Sequence, residues 1–378
     1  MKKIHYLILA SAAVITVACA KSAPVEQGVP ELPDEGITVP EAVRFGSNVV
    51  NVALTKAAGS LDSWSDTQKL YVFGYNRTTT SFVQPNTFID NVEAVAPNGV
   101  TAGVIDVVRP GTESEPFYYL GNNCYDFYGY YVDDAAVPST DVVYSEANVS
   151  IPITLTGSED IMLAKADQSK DIEGKDVQYQ EWAYSAYAAR RQVQPTLLFK
   201  HQLARFKFEL LQGSSSETSV KVNVSELSLE AASKADLVVV AATDEERGIK
   251  NASTPAVFTL KERNQETNVL QELTPTAPSS AIDPTALGES IMVIPAASYK
   301  MNIKLVATEG TQTIPDVEYT LTPDLIAENL SAFEAGKSYK ITIKIYGMEK
   351  VVITASLEDW QDGGNIISDE DELPVPQA

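Results

Sequence analysis

Leu197-Leu198-Phe199-Lys200-His201-Gln202-Leu203-Ala204-Arg205-Phe206-Lys207-Phe208-Glu209-Leu210-Leu211 is the stretch on which the fold turns. Phe206, Phe208 and Leu210 point one way, while Arg205, Lys207 and Glu209 point the other. Successive side chains of a strand project to opposite faces, so this is a β-strand with one buried and one wet face. The stretch also holds His201, one of only two histidines in the chain. The other, His5, lies in an N-terminal leader. His201 is therefore either a catalyst or part of the scaffold.

The same alternation recurs at Tyr339, Ile341, Ile343 and Ile345 against Lys340, Thr342 and Lys344. Strand-like runs also cover 48–54, 69–75, 103–108, 125–132, 148–155, 203–211, 220–229, 236–241, 256–260, 290–294, 300–307, 338–345 and 350–357. Turn residues separate them, as in sandwiches. Helical signal is confined to 324–333, opened by Pro323 and closed near Gly336, and to 181–190. No βαβ units occur, which argues against a parallel-sheet enzyme fold. The chain is thus expected to be all-β.

With 378 residues, 44% of them hydrophobic, two ordinary domains can each bury a core. A net charge of −23 repels phosphate backbones, so no nucleic-acid partner is expected. Neither metal nor cofactor is expected. Outside the leader the chain has one histidine, and Cys19 and Cys124 are its only cysteines. P-loop, dinucleotide and calcium-loop patterns are absent, and no G-x-S-x-G serves His201. Asp133-Asp134 is a loose acid pair of the solvated kind. The 51 acids nominate no glycosidase pair. Cys124 has no base beside it and reads as inert. The protein is read as a non-enzyme.

Aromatic residues cluster in Phe117-Tyr118-Tyr119 and in Tyr125-Asp126-Phe127-Tyr128-Gly129-Tyr130-Tyr131. Alternation puts Tyr125 and Phe127 on one face, and Tyr128 and Tyr130 on the other. Tyr128 and Tyr130 are the candidate ligand face for a glycan or host protein. Core filling is the competing reading.

The first residues carry an address. Lys2 and Lys3 precede an apolar run from Ile4 to Ala18, followed by Cys19. That is a signal peptide over 1–18, too short to span a membrane comfortably. Thr16-Val17-Ala18-Cys19 resembles a bacterial lipobox, with Thr16 where Leu is usual. The expected cleavage falls between Ala18 and Cys19, with Cys19 lipidated. An ordinary cleaved signal with a coincidental cysteine is the alternative. Residues 19–41, with Pro24, Gly28, Pro30, Pro33, Gly36 and Pro40, read as a flexible tether. Residues 366–378 read as an acidic tail.

Taken in order, these landmarks resemble the fimbrillin family of lipoprotein pilins and adhesins in anaerobic Gram-negative bacteria. The matching residues are Cys19; Leu54-Thr55-Lys56-Ala57-Ala58-Gly59; Trp64; Leu70-Tyr71-Val72-Phe73-Gly74-Tyr75; and the aromatic run that starts at Tyr125. They continue with Asp160-Ile161-Met162-Leu163-Ala164; His201 with Ala204-Arg205; Ala335-Gly336-Lys337-Ser338-Tyr339; and Leu357 through Trp360. Each motif is short, and their shared order carries the likeness.

The resemblance implies two tandem transthyretin-like antiparallel β-sandwich domains, over 42–202 and 203–365. It implies a structural subunit, stalk or tip, of a cell-surface fimbria. The precursor would be anchored in the outer membrane by its lipid. A trypsin-like protease would then cut after a basic residue closing the first strand, here between Lys56 and Ala57. The family usually has Arg at that position. Lys56 also reads simply as an exposed lysine in a turn of small residues. Arg44 is a fallback site, but a cut there leaves 48–54 attached. The vacated groove would accept a strand from another subunit, and residues 351–367 are the candidate donor. The alternative is a non-polymerising surface lipoprotein adhesin.

Overall fold

Period-two alternation produces strands throughout the described residues of a computed structural model. Described are residues 41–48, 54–56, 59–61, 69–95, 102–105, 107–112, 114–133, 141–171, 179–191, 193–213, 222–279, 283–308, 314–326, 330–346 and 351–358. The strands are β1 Phe45–Asn48, β2 Leu54–Lys56, β3 Gly59–Leu61, β4 Lys69–Asn76, β5 Thr87–Val95, β6 Ala102–Ile105 and β7 Tyr125–Val132. They continue with β8 Val143–Tyr144, β9 Asn148–Thr154, β10 Ile161–Lys165, β11 Lys200–His201, β12 Ala204–Gln212, β13 Val222–Ala241 and β14 Gly248–Thr259. The last are β15 Lys261–Arg263, β16 Leu270–Glu272, β17 Thr285–Val293, β18 Tyr299–Ala307, β19 Val317–Leu321, β20 Ser338–Ile345 and β21 Val351–Glu358. The protein is nearly all β, built as β-sandwiches. Among the described residues no helix is long and apolar enough to cross a membrane.

The first half centres on a five-stranded antiparallel sheet in the order β11-β10-β7-β4-β5. One face of it, with Leu70, Val72, Phe127, Tyr131 and Met162, packs beneath Val43 and Phe45 of the N-terminal segment. The other face, with Phe73, Tyr128, Tyr130, Ile161 and Leu163, shares a core with Val149, Ile151 and Ile153 of β9. A sheet covered on both sides has no wet face, so its strands lose the polar half of the alternation.

The second half is a sandwich of two sheets. One runs β17-β12-β20-β21; the other, β19-β18-β13-β9-β8 with β14 added on β13, is shared, because its β9 packs on the sheet of the first half. Phe206, Phe208 and Leu210 of β12 face Val224, Leu227 and Leu229 of β13 in one core. Within the first sheet β12 and β20 pair in parallel, Phe206 beside Tyr339 and Phe208 beside Ile341, while the other ladders are antiparallel.

Three expectations change. Among the described residues of 324–333 there is no α-helix: a 3-10 turn covers Pro323–Leu325, and 327–329 lie outside the described residues. Phe333 instead donates its N–H to Ala296 O at 3.0 Å and sinks against Phe206 and Tyr339. Residues 181–190 break into helical turns at 179–182 and 186–189, because Tyr184 sits at φ +60°. Ser185 then caps the second turn by accepting from Ala188 N. The described part of the run 220–229 and the run 236–241 belong to one continuous strand, β13, Val222–Ala241. Ala231-Ala232-Ser233-Lys234-Ala235 has weak strand propensity, but ladder partners hold it extended.

Candidate assembly site

Residues 41–48 enter the fold as an extended segment. Val43 N donates to Phe117 O at 2.7 Å, and Tyr119 N donates to Glu41 O at 3.0 Å. Four residues on, β1 pairs antiparallel with β6, from Phe45 opposite Ile105 to Asn48 opposite Ala102. Arg44 N donates to Gln194 Oε1 at 3.3 Å. Val43 and Phe45 are 4% and 1% exposed, while Arg44 between them faces solvent. Phe45 stands edge-on to Phe127 with ring centres 5.0 Å apart. Burying a Val and a Phe side chain contributes roughly 3–6 kcal/mol together. The segment is thus a strand-sized plug, held by backbone bonds and two apolar anchors.

The segment leads to a small hairpin. Lys56 ends β2 and lies opposite Gly59 at the start of β3. Among the described residues β2 and β3 pair only with each other. Lys56 therefore sits at a hairpin end, on the chain between the plug and the body of the protein. Ala57, Ala18 and Cys19 lie outside the described residues.

His201 belongs to the scaffold by geometry. Its Nδ1 lies 2.9 Å from Asp160 Oδ2, and both side chains are 1% exposed. Asp160 Oδ1 also accepts from Ile161 N at 2.8 Å. A group sealed this far from solvent cannot touch a substrate. Next to it, the Glu159 carboxylate accepts from the N–H groups of Thr156, Gly157 and Ser158 at 2.7, 3.1 and 3.2 Å. Gly157 takes φ +97° there, and a Cβ would come within 2.9 Å of Phe258 Cβ. Four residues after His201, Arg205 Nε donates to Ser338 Oγ at 3.0 Å, and Arg205 N donates to Lys337 O at 3.0 Å. Three short motifs far apart in sequence (160–164, 201–205 and 335–339) thus close into one hydrogen-bonded joint. Asp160 and Ser338 gave no sign of that role in the sequence beyond their place in those motifs.

Removing the imidazole leaves a buried carboxylate short of a donor, which costs about 1–3 kcal/mol or more. His201→Ala is expected to lose that much stability in chemical denaturation. His201→Gln keeps an amide donor, is expected to lose less, and should assemble like the parent. A folded but assembly-dead His201→Gln protein would contradict the scaffold reading.

The candidate ligand face needs correction. Tyr128 and Tyr130 do lie opposite Tyr125 and Phe127, but both are only 4% exposed. Tyr130 OH donates to Asn91 Oδ1 at 2.8 Å, and its ring stacks on Tyr71 at 5.0 Å. Tyr128 is roofed by the cations of Arg247 and Lys165, at 5.2 and 5.6 Å from its centre. Neither ring offers a surface to a glycan. Cys124 is also buried, and burial pushes its thiol pKa up, against a smaller opposing pull from Arg77. Among the described residues no three His, Cys, Asp or Glu side chains gather as a metal site.

The fimbrillin-like family model matches residues 55–360, well over half of the chain. The chain belongs to the fimbrillin-like family. Family membership places this fimbrillin-like protein among fimbrial and cell-surface adhesion proteins. No functionally curated protein matches it. A fimbrial protein from Bacteroides vulgatus ATCC 8482 is similar over 85% of this chain and 99% of its own, at 14% identity and a TM-score of 0.46. A candidate cell adhesion protein from Bacteroides uniformis ATCC 8492 is similar over 87% of this chain and 100% of its own, at 16% identity and TM-score 0.45. The fimbrial anchor protein Mfa2 from Porphyromonas gingivalis is similar over 85% and 98%, at 10% identity and TM-score 0.37. The family match begins at Thr55, so the plug at 41–48 precedes it.

Proposed function

We propose that this fimbrillin-like protein is a structural subunit of a surface fimbria, assembled by proteolysis-triggered strand exchange. The observation that carries the reading is the plug. Residues 41–48 supply backbone pairing to β6 and to 117–119, and fill the core with Val43 and Phe45. Cutting after Lys56, before Ala57, severs the plug from the body. Its loss exposes two unpaired edges and an apolar groove, a template for an added strand. Residues 351–367 are the proposed donor. They begin with β21, the last described strand, which among the described residues pairs with β20 alone. Among its described side chains Ile353 is buried, Val351 and Ala355 pack partly buried against the same core, and the full backbone ladder to β20 holds the rest.

In the same reading, Ala18–Cys19 is the signal cleavage site. Lipidated Cys19 anchors the precursor in the outer membrane, and two acyl chains make such anchoring firm. The sandwiches at 42–202 and 203–365 act as the two ends of the subunit. Electrophoresis of unheated surface extracts tests the polymer directly. A high-mass ladder that collapses on boiling is expected, and a lone monomer band would contradict assembly.

A further inference from the structure

β13 serves both halves of the molecule. Along its first part, Val222–Glu230, it pairs with β18. Along its last part, Lys234–Ala241, it pairs with β9. β14 pairs from Ser228 to Val238 and so overlaps both. A strand has two edges. Where β14 and β18 share residues 228–230 they occupy opposite edges, and where β14 and β9 share 234–238 they do too. β18 and β9 therefore lie end to end on one edge, and β14 covers the junction from the other. At the gap, Ala231 and Ala232 face Ala256 and Pro255, and Ser233 Oγ donates to Thr254 O at 2.8 Å. β14 buries only Phe258. Its role is therefore in backbone bracing more than in core filling.

The hairpin turn reaches the first sheet. Arg247 Nε donates to Val239 O at 2.8 Å, and its NH2 donates to Ala164 O of β10 at 2.7 Å. Its guanidinium lies over the Tyr128 ring, and the side chain is 10% exposed. Lys165 Nζ pairs with Asp244 Oδ1 at 3.2 Å. Two more contacts link the halves: Met292 N donates to Gly157 O at 2.8 Å, and Phe258 packs on Gly157.

We infer that the β13–β14 hairpin is a splice locking the two sandwiches into one rigid body, with Arg247 as the positioning residue that pins its tip to β10. The strand is roughly 65 Å long at about 3.3 Å per residue. Tension along it loads the β9 and β18 ladders in shear, many hydrogen bonds at once, where peeling would break them singly. A subunit built this way passes pull from one end to the other without hinging.

The test is hydrogen exchange on the full chain carrying Arg247→Met, which keeps an apolar stem over Tyr128 but no donor. Local opening raises exchange only in the parts released. Exchange in β9 and β10 is expected to rise at least ten-fold, while β18 and β20 stay unchanged. Arg247→Lys keeps a cation but cannot serve both carbonyls, and should fall between. Unchanged β9 and β10, or an equal rise in β18 and β20, would overturn the splice. Should Arg247→Met not fold, Asp244→Asn removes the carboxylate that pairs with both Lys165 and Arg247, and leaves both Arg247 bonds to the carbonyls in place. A two- to three-fold rise confined to β9 and β10 supports the splice, and a uniform or absent rise overturns it.

Discussion

Phe206→Asp is expected to abolish cooperative unfolding of the full chain and to erase its near-ultraviolet aromatic signal. Phe206 is fully buried, and its ring meets Phe333, Tyr299 and Tyr339 at centre distances of 5.0, 5.3 and 5.3 Å. Truncating a core Phe costs about 3–5 kcal/mol before any charge is considered. A buried carboxylate with no partner adds several kcal/mol more, or shifts its pKa to stay neutral. Together these rival the roughly 5–15 kcal/mol that holds a domain folded. The damage should not stop at the second sandwich. Phe206 shares one buried cluster with Val149 and Ile151 of β9 and with Tyr128 and Tyr130 of β7. Lys207→Asp, one residue along on the outward face, is the control and should shift stability by less than about 1 kcal/mol. A native-like melting transition for Phe206→Asp would refute the core assignment.

Lys56→Ala is expected to leave the fold and melting temperature unchanged while abolishing polymer. The reason is competition. While the plug stays covalently joined, it faces its groove at an effective concentration in the millimolar range. An incoming strand from a second subunit, far more dilute, cannot displace it. Cutting after Lys56 converts the plug into a free peptide, which leaves with only its own affinity. Lys56→Arg keeps a basic residue and should assemble normally. Arg44→Ala should also assemble, because a cut at Arg44 would leave β1 in place. Polymer from Lys56→Ala at parental yield would remove cleavage at this site from the account.

The fold was legible where one face is wet. β12 and β20 alternate cleanly because their outward residues, Lys207, Lys340 and Lys344, remain partly exposed. β7 is legible through its aromatic density; of its two readings the burial of Tyr128 and Tyr130 fits core filling, and a sheet buried on both faces gives no polar signal to choose between them. β5 was missed altogether. Asp90, Asn91 and Glu93 interrupt its apolar pattern, and Asp90 and Asn91 are held by Tyr144 and Tyr130, which no local window reveals. The scaffold role of His201 was legible from the lack of partners for chemistry, but its bond to Asp160 was not. Arg247 was invisible in the acidic turn Asp244-Glu245-Glu246-Arg247. Its meaning depends on a carbonyl 83 residues away in β10. Lys56 was marked through a family likeness, and the structure adds the plug that gives a cut there a consequence.

Assembly through release of that plug is the central claim, and N-terminal sequencing of polymer stripped from the cell surface tests it most directly. The account predicts a chain that starts at Ala57. Polymer whose subunits begin at a lipidated, blocked Cys19, with residues 41–48 still attached, would contradict it.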